Sequence, residues 1–336
     1  MNSKRIGRRT VALQTPPSVL SFANIGGRME GQGPLAKYFD ELCDDSFFGE
    51  KTWEKAEATM QRRVLRRALE QAGLKPGDVD YVLAGDLLNQ CIGSSFGLRE
   101  LGIPFFGLYG ACSTMGEALA LASLLIDGGF AETVAAQASS HFCTAERQYR
   151  MPYGSQRSPT AQWTATAAGC TFLSAQGPGP YITHVTCGRI VDQGITDPNN
   201  MGAAMAPAAY DTLRAFFADT HTGPADYDAI FTGDLGELGH EIVMDLFRQD
   251  GVDMTRNYED CGMLLYDRDR QDMHAGGSGC GCSAAVFNGY LLTGLKQGRW
   301  RRILFAPTGA LLSPTSSFQG ESIPGICHLV CVSTER

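Results

Sequence analysis

No run of 18 uninterrupted apolar residues occurs in this chain, so no membrane-spanning helix is expected. The basic opening, "MNSKRIGRRTVALQTPPSVL", is followed by no apolar core of the kind a secretory leader carries. Positive charge is in deficit: 28 Lys and Arg stand against 36 Asp and Glu, a net charge of −8. That weighs against a nucleic-acid surface and against simple electrostatic adhesion to anionic lipid. The GxxxxGK[ST] phosphate loop is absent, and no dinucleotide fingerprint follows a strand. CxxC and HxxxH partners are missing too, so "CGC" at 280–282 does not read as a zinc site. With no leader, the eleven cysteines read as reduced and mostly buried in a cytosolic compartment. What remains is a well-packed globular chain, 43% hydrophobic and 19% charged.

The organisation comes from an internal match. Residues 64–87, "VLRRALEQAGLKPGDVDYVLAGDL", align without gaps on 212–235, "TLRAFFADTHTGPADYDAIFTGDL", at an offset of 148. Eight of the 24 positions are identical, including Pro76/Pro224, Asp78/Asp226, Asp80/Asp228 and Asp86/Asp234. Each copy reads as an amphipathic helix, a Pro-bearing turn, a buried strand and then Gly-Asp-Leu. A second match, 127–140 on 296–309, has an offset of 169 and takes Cys112 to Gly281. The longer offset gives the second half about twenty extra residues, in keeping with a polar loop over 250–277. Alternating helix and strand predicts an α/β fold. In such folds ligands bind beyond strand C-termini, near helix N-termini. The duplication therefore predicts one shared crevice holding Cys112, Gly281, Asp86, Asp234 and the ends of strands 133–140 and 302–308.

Cys112 stands in "YGACSTMGEALALASLLIDGGF", where a short apolar run enters an apolar helix. A thiol at a helix N-terminus is expected to have a lowered pKa. A nucleophilic cysteine also needs a base, usually His. There are six histidines, and none falls at the symmetric turns; His274 precedes "GGSGCGCSAA" by several residues. His141, Glu146, Arg147 and Arg150 follow the strand 133–140 in a stretch read as a loop, where His141 and Arg147 are candidates for gripping an anion. Arg150 reads as solvated. Asp86 and Asn89, in "GDLLNQ", and Asp234 stand at strand ends; a capping role is the default for Asp. Trp163 reads as packing.

These features together resemble the thiolase and ketoacyl synthase superfamily: two similar halves, "GACSTMGEAL" at the nucleophile position, a Gly-rich helix start in the second half, and "FAPTGALLSP" near the end. The blocks "GITDPNNMGAAMAPAA" (194–209) and "AGGSGCGCSA" (275–284), with "LAGDLLNQ", "TAERQ" and "IDGGFA", resemble more narrowly the stage V sporulation protein AD family, over nearly the whole chain. The resemblance implies a thiolase-like, duplicated, five-layered αβαβα architecture, with halves 1–178 and 179–336. It implies a non-catalytic protein that binds dipicolinic acid (pyridine-2,6-dicarboxylate) or its calcium chelate. That protein would act in uptake during sporulation and release in germination, with membrane proteins of the same operon. It would sit peripherally at the spore inner membrane. The enzymes' His position falls at Asp234 and their Asn position at Gly281; Cys112 alone is kept. The ligand-binding set expected from these readings is Cys112, His141, Arg147, Asp86, Asn89, Asp234, Gly281 and Gly309. No cofactor is expected beyond calcium carried with the ligand, and no nucleic acid. A homodimer, paired through the strand near 133–140, is expected by resemblance. Two other readings stay open: a condensing enzyme using Cys112 with His274, and a scaffold whose pocket is vestigial.

Overall fold

The computed structural model describes residues 4–149 and 157–336. Ten of its strands form two five-stranded sheets of one plan. In the first sheet Phe105–Leu108, Tyr81–Gly85 and Thr133–Ser140 run parallel; Ala167–Ser174 and then Ser18–Gly27 follow antiparallel. In the second, Tyr258–Asp260, Ala229–Thr232 and Arg302–Ala306 run parallel; Leu329–Ser333 and then Tyr181–Thr186 follow antiparallel. The sheets meet edge to edge where Tyr181 pairs with Ser18.

Side-chain alternation along the strands sorts residues between layers. Leu83, Phe231, Ile303 and Phe305 face a central core built on the helix Thr114–Asp127 and on the helical run that begins at Cys280. Val82 and Ala84 face outward onto the helix Trp53–Ala72. Ile230, Leu304 and Ala306 face outward onto Met201–Thr220 and Gly236–Gln249. The layers are therefore helix, sheet, helix, sheet, helix.

The repeat is visible in detail. Trp53–Ala72 and Met201–Thr220 correspond at both ends at the offset of 148. Each ends on a left-handed residue, Gly73 at φ 67° and His221 at φ 55°. The repeated aspartates lock turns. Asp78 accepts from the Lys75 N–H at 2.7 Å, and Asp226 from Gly223 at 2.8 Å. Asp80 accepts from the N–H groups of Glu132 and Thr133, and Asp228 from those of Arg301 and Arg302.

Three expectations are corrected. The polar stretch 250–277 is no simple loop: it carries the edge strand Tyr258–Asp260 and the helix Cys261–Leu265. Both are too short to show a hydrophobic period. The strand expected over 302–308 stops at Ala306, because Pro307 cannot donate to the ladder; Thr308–Ala310 pairs separately with Gly325–Cys327. The strand Thr133–Ser140 is interior and hydrogen-bonded on both sides, so it cannot pair two chains; the sheet's free edge is Phe105–Leu108. Among the described residues no helix is long and apolar enough to cross a membrane.

Candidate functional site

The edge strand Phe105–Leu108 delivers the chain to a tight turn, Ala111–Ser113, from which the central helix starts. Ala111 sits at φ 49°, in the left-handed region. Local hydrogen bonds hold it there: the Ser113 Oγ donates to Gly110 O at 2.7 Å, and Thr114 Oγ1 to Ala111 O at 2.6 Å. Gly309 backs the turn. A Cβ on Gly309 would lie 2.1 Å from Gly110 O and 3.3 Å from Cys112 N. Gly281 does the same for the other half: its N–H donates to Ser140 Oγ at 3.2 Å, and a Cβ there would lie 2.2 Å from Ala167 O. Each helix start thus leans on the opposite half, at positions related by the offset of 169.

Cys112 is buried, with the Asp234 carboxyl beside it. Asp234 accepts from the Gly279 N–H at 2.8 Å and from the hydroxyls of Ser278 and Thr308, each at 3.2 Å. Burial pushes the Asp234 carboxyl up to about 7, against the pull of these hydrogen bonds. Burial, with the Asp234 charge beside it, pushes the Cys112 thiol well above its ordinary range. The lowered thiol expected from a helix start is thereby overturned. The turn does expose the sulfur to a helix N-terminus, but desolvation and a facing carboxyl act the other way.

Above Cys112 lies a cavity of about 710 Å³ counted to its open mouth. Its polar lining is hydroxyl-rich: Tyr109, Tyr149, Thr164 and Ser278, with the Asn199 amide and the Glu146 carboxylate. The Tyr109 and Tyr149 hydroxyls are 2.9 Å apart, and Tyr149 also donates to Leu87 O. Leu87, Ala145, Met201 and Leu312 are among the groups that complete an apolar wall. Among the described residues, no Lys, Arg or His lines the cavity. Nor is any group of three or more His, Cys, Asp or Glu among them arranged to hold a metal ion.

Of the expected ligand set, Cys112 and Asp234 are brought together, and Gly281 and Gly309 pack the two helix starts. The other four do not line the cavity. Asp86 is buried and holds its own loop, accepting from Leu88 N–H at 2.9 Å, from Ser94 N–H at 2.7 Å and from the Ser94 hydroxyl. Asn89 is exposed and exchanges hydrogen bonds with Gln148. His141 is buried; its Nδ1 accepts from the Cys143 N–H, so Nε2 donates to Ser46 O at 2.7 Å. Burial lowers its pKa and keeps it neutral. Arg147 pairs with Glu54 and lies over the Trp53 ring at 5.7 Å. The stretch read as a loop is the helix Phe142–Tyr149. It turns Ala145, Glu146 and Tyr149 to the cavity and sends Arg147 away, about a hundred degrees round. Arg150 lies outside the described residues. Trp163 packs as expected, stacked on Phe142 at 3.8 Å. Tyr109, Tyr149 and Asn199 were not singled out from the sequence; Tyr109, next to the Cys112 turn, carried a positional signal.

A family model for stage V sporulation protein AD matches residues 7–333. The stage V sporulation protein AD of Bacillus subtilis (strain 168) is 44% identical over 328 residues, 97% of this chain and 96% of that protein. The chain belongs to the stage V sporulation protein AD family. Solved structures similar to it share its thiolase-like fold at low identity. Cerulenin-bound OleA of Xanthomonas campestris matches with a TM-score of 0.62 at 12% identity, covering 99% of this chain and 99% of that one. The 3-oxoacyl-[acyl-carrier-protein] synthase III of Aquifex aeolicus VF5 matches with a TM-score of 0.59 at 14% identity, covering 94% and 99%. Human mitochondrial 3-ketoacyl-CoA thiolase matches with a TM-score of 0.57 at 12% identity, covering 96% and 99%. The stage V sporulation protein AD family thus stands on the fold of condensing enzymes.

Proposed function

We propose that this chain binds dipicolinic acid, or its calcium chelate, in the cavity above Cys112 and performs no acyl transfer. The observation that carries this reading is the Cys112–Asp234 contact. A condensing cysteine works as a thiolate beside a group that takes its proton. Here the neighbour is a carboxyl titrating near 7, and the thiol lies far above that. Transfer of the proton from sulfur to Asp234 is uphill at neutral pH, and once Asp234 is ionised its charge opposes a thiolate further. His274, the base that an enzymatic reading requires, is held elsewhere: its Nδ1 lies 2.6 Å from Ser158 O and its Nε2 3.1 Å from Asp272.

The cavity suits a small, flat, aromatic ligand. Tyrosine rings and aliphatic groups offer faces; hydroxyls and the Asn199 amide offer donors to carboxylate oxygens. The chain's net charge of −8 opposes entry of a free dianion and favours the calcium chelate. No resident cofactor is invoked. In this reading the protein moves dipicolinate during sporulation and germination, peripherally at the spore inner membrane with membrane proteins of the same operon. Two copies pair through Phe105–Leu108, the open edge of the first sheet.

The test is calorimetric titration of dipicolinate, with and without calcium, into the wild type and Cys112→Ala. Saturable binding weakened by the substitution is expected. Absence of binding under both conditions, or an acyl group appearing on Cys112 after incubation with acyl-coenzyme A, would overturn the reading.

A further inference from the structure

A second cleft lies at the far end of the molecule. The helical run that starts at Cys280, beside the cavity, continues to Lys296, about 25 Å away at 1.5 Å per residue. There the cleft, about 870 Å³ counted to its mouth, opens between Phe22, the turn bearing Lys37 and Tyr38, and the helix end at Gln297. Lys296 lies over the Phe22 ring at 4.6 Å, and Lys37 over Tyr38 at 5.2 Å. Arg299 donates to the Tyr38 hydroxyl at 3.0 Å and stacks on Tyr290 at 4.8 Å and Trp300 at 5.2 Å. Arg301 and Arg302 continue the exposed run. On a chain of net charge −8, Lys37, Lys296 and Arg299 gather at this cleft.

The duplication supplies an internal control. The turn "DGGFAET" after the helix Thr114–Asp127 is the counterpart of "KQGRWRR". The two turns close identically. Gly129 and Gly298 sit at φ 76° and 74°. Phe130 N–H donates to Leu125 O, and Arg299 N–H to Gly294 O. Yet Asp127, Phe130, Glu132 and Thr133 in one half stand where Lys296, Arg299, Arg301 and Arg302 stand in the other. In the first half a single lysine from elsewhere in the chain serves the helix end, Lys4 donating to Asp127 O at 2.6 Å and pairing with the Asp127 carboxylate at 3.0 Å; the run Lys296, Arg299, Arg301 and Arg302 exceeds what such an end uses. The carboxylates nearby are otherwise engaged. Asp228 accepts from the N–H groups of Arg301 and Arg302, and Asp40 from the Asn24 N–H and the Gln71 amide.

We propose that this cleft docks an acidic segment of a partner protein. The surface is concave, and its aromatic rings lie half-buried beneath the cations. Among the described residues, none of the large exposed hydrophobics belongs to it. A bilayer surface would ask for the reverse, a flat or protruding face with apolar groups to insert. A cationic groove with arginine held in place on aromatic rings fits an extended chain of carboxylates.

The probe is a fluorescein-labelled oligoglutamate peptide, read by anisotropy against wild type and the K37E/K296E/R301E variant. Saturable binding is expected, weakened about tenfold or more by the variant and suppressed by added salt. Carbodiimide cross-linking of the same peptide to the wild type, followed by peptide mapping, is independent of how the variant folds. It should place the cross-links on Lys37 and Lys296. Equal binding by both proteins, or cross-links elsewhere, overturns the proposal. So does retention of the wild type on phosphatidylglycerol vesicles, abolished in the variant, with no peptide binding.

Discussion

Asp86 and Asp234 occupy equivalent positions 148 residues apart, and their carboxylates perform different tasks. Asp86 holds the loop that follows its own strand. In the second half that duty has passed to Asp260, which accepts from the N–H groups of Leu235, Gly236 and Gly262. Asp234 is thereby released from its loop and meets Cys112 from the first half. The cavity floor is the product of this divergence: one half supplies the thiol, the other the carboxyl.

Asp234→Asn should make Cys112 more acidic. The substitution removes the charge that, after burial, does most to hold the thiol up. Burial remains, so the thiol stays above its ordinary range while its pKa falls. The check is the pH dependence of iodoacetamide labelling of Cys112, followed by peptide mass so that the exposed Cys187 does not confuse the reading. An unchanged profile would mean that Asp234 does not control the sulfur.

The same substitution should alter the pH dependence of stability. An unfolded Asp titrates near 4, while the folded Asp234 titrates near 7. A raised folded pKa means that the folded state binds the proton more tightly than the unfolded chain. The stabilisation is complete below about pH 4 and lost as pH rises through about 7. Wild-type stability, followed by melting temperature against Asp234→Asn, should therefore fall between these limits, by an amount on the order of 2–4 kcal/mol at most. Comparing the two proteins cancels the buried carboxyls of raised pKa that do not act on Asp234, namely Glu30, Glu57 and Asp86.

Much of the fold was legible because the repeat is written in residues that shape turns. Pro76, Asp78 and Asp80 recur as Pro224, Asp226 and Asp228 because each must satisfy particular backbone N–H groups, and such demands survive divergence of the core. The family resemblance added the layering. The site was less legible. Cys112, Asp234 and the two glycines were found from symmetry, which locates backbone positions. Symmetry does not say where a side chain turns. Arg147 and Tyr149 are two residues apart on one helix, and only Tyr149 reaches the cavity. Asp86 looked equivalent to Asp234 until their hydrogen bonds were compared.

Gly309→Ala should displace the Cys112 turn. The added methyl would lie 2.1 Å from Gly110 O and 3.0 Å from Ser113 N, both backbone atoms of a turn that packing holds rigid. A loss of about 1–3 kcal/mol of stability is expected, together with weaker dipicolinate binding in calorimetry. Gly223→Ala serves as the control, because no heavy atom lies within 4 Å of its new methyl and its φ of −138° suits any residue. Equal effects from the two substitutions would show that the turn tolerates the shift.

Pairing through the edge strand should depend on Phe106. Phe105–Leu108 hydrogen-bonds to Tyr81–Gly85 on one side and leaves the other side open. Phe105 and Phe106 are 38% and 50% exposed, an apolar pair on an unprotected edge. Monomeric proteins blunt such edges with charge or proline, and this one carries neither within the strand. A second copy would add its own edge strand, bury the phenylalanines, and abut the Cys112 turn that follows directly. Phe106→Glu places like charges at that junction, so light scattering should report a dimer for the wild type and a monomer for the variant. A melting temperature equal to that of Phe106→Ala would exclude unfolding as the cause. A wild type that scatters as a monomer at micromolar concentration would remove the dimer from the account and leave the cavity open at that rim.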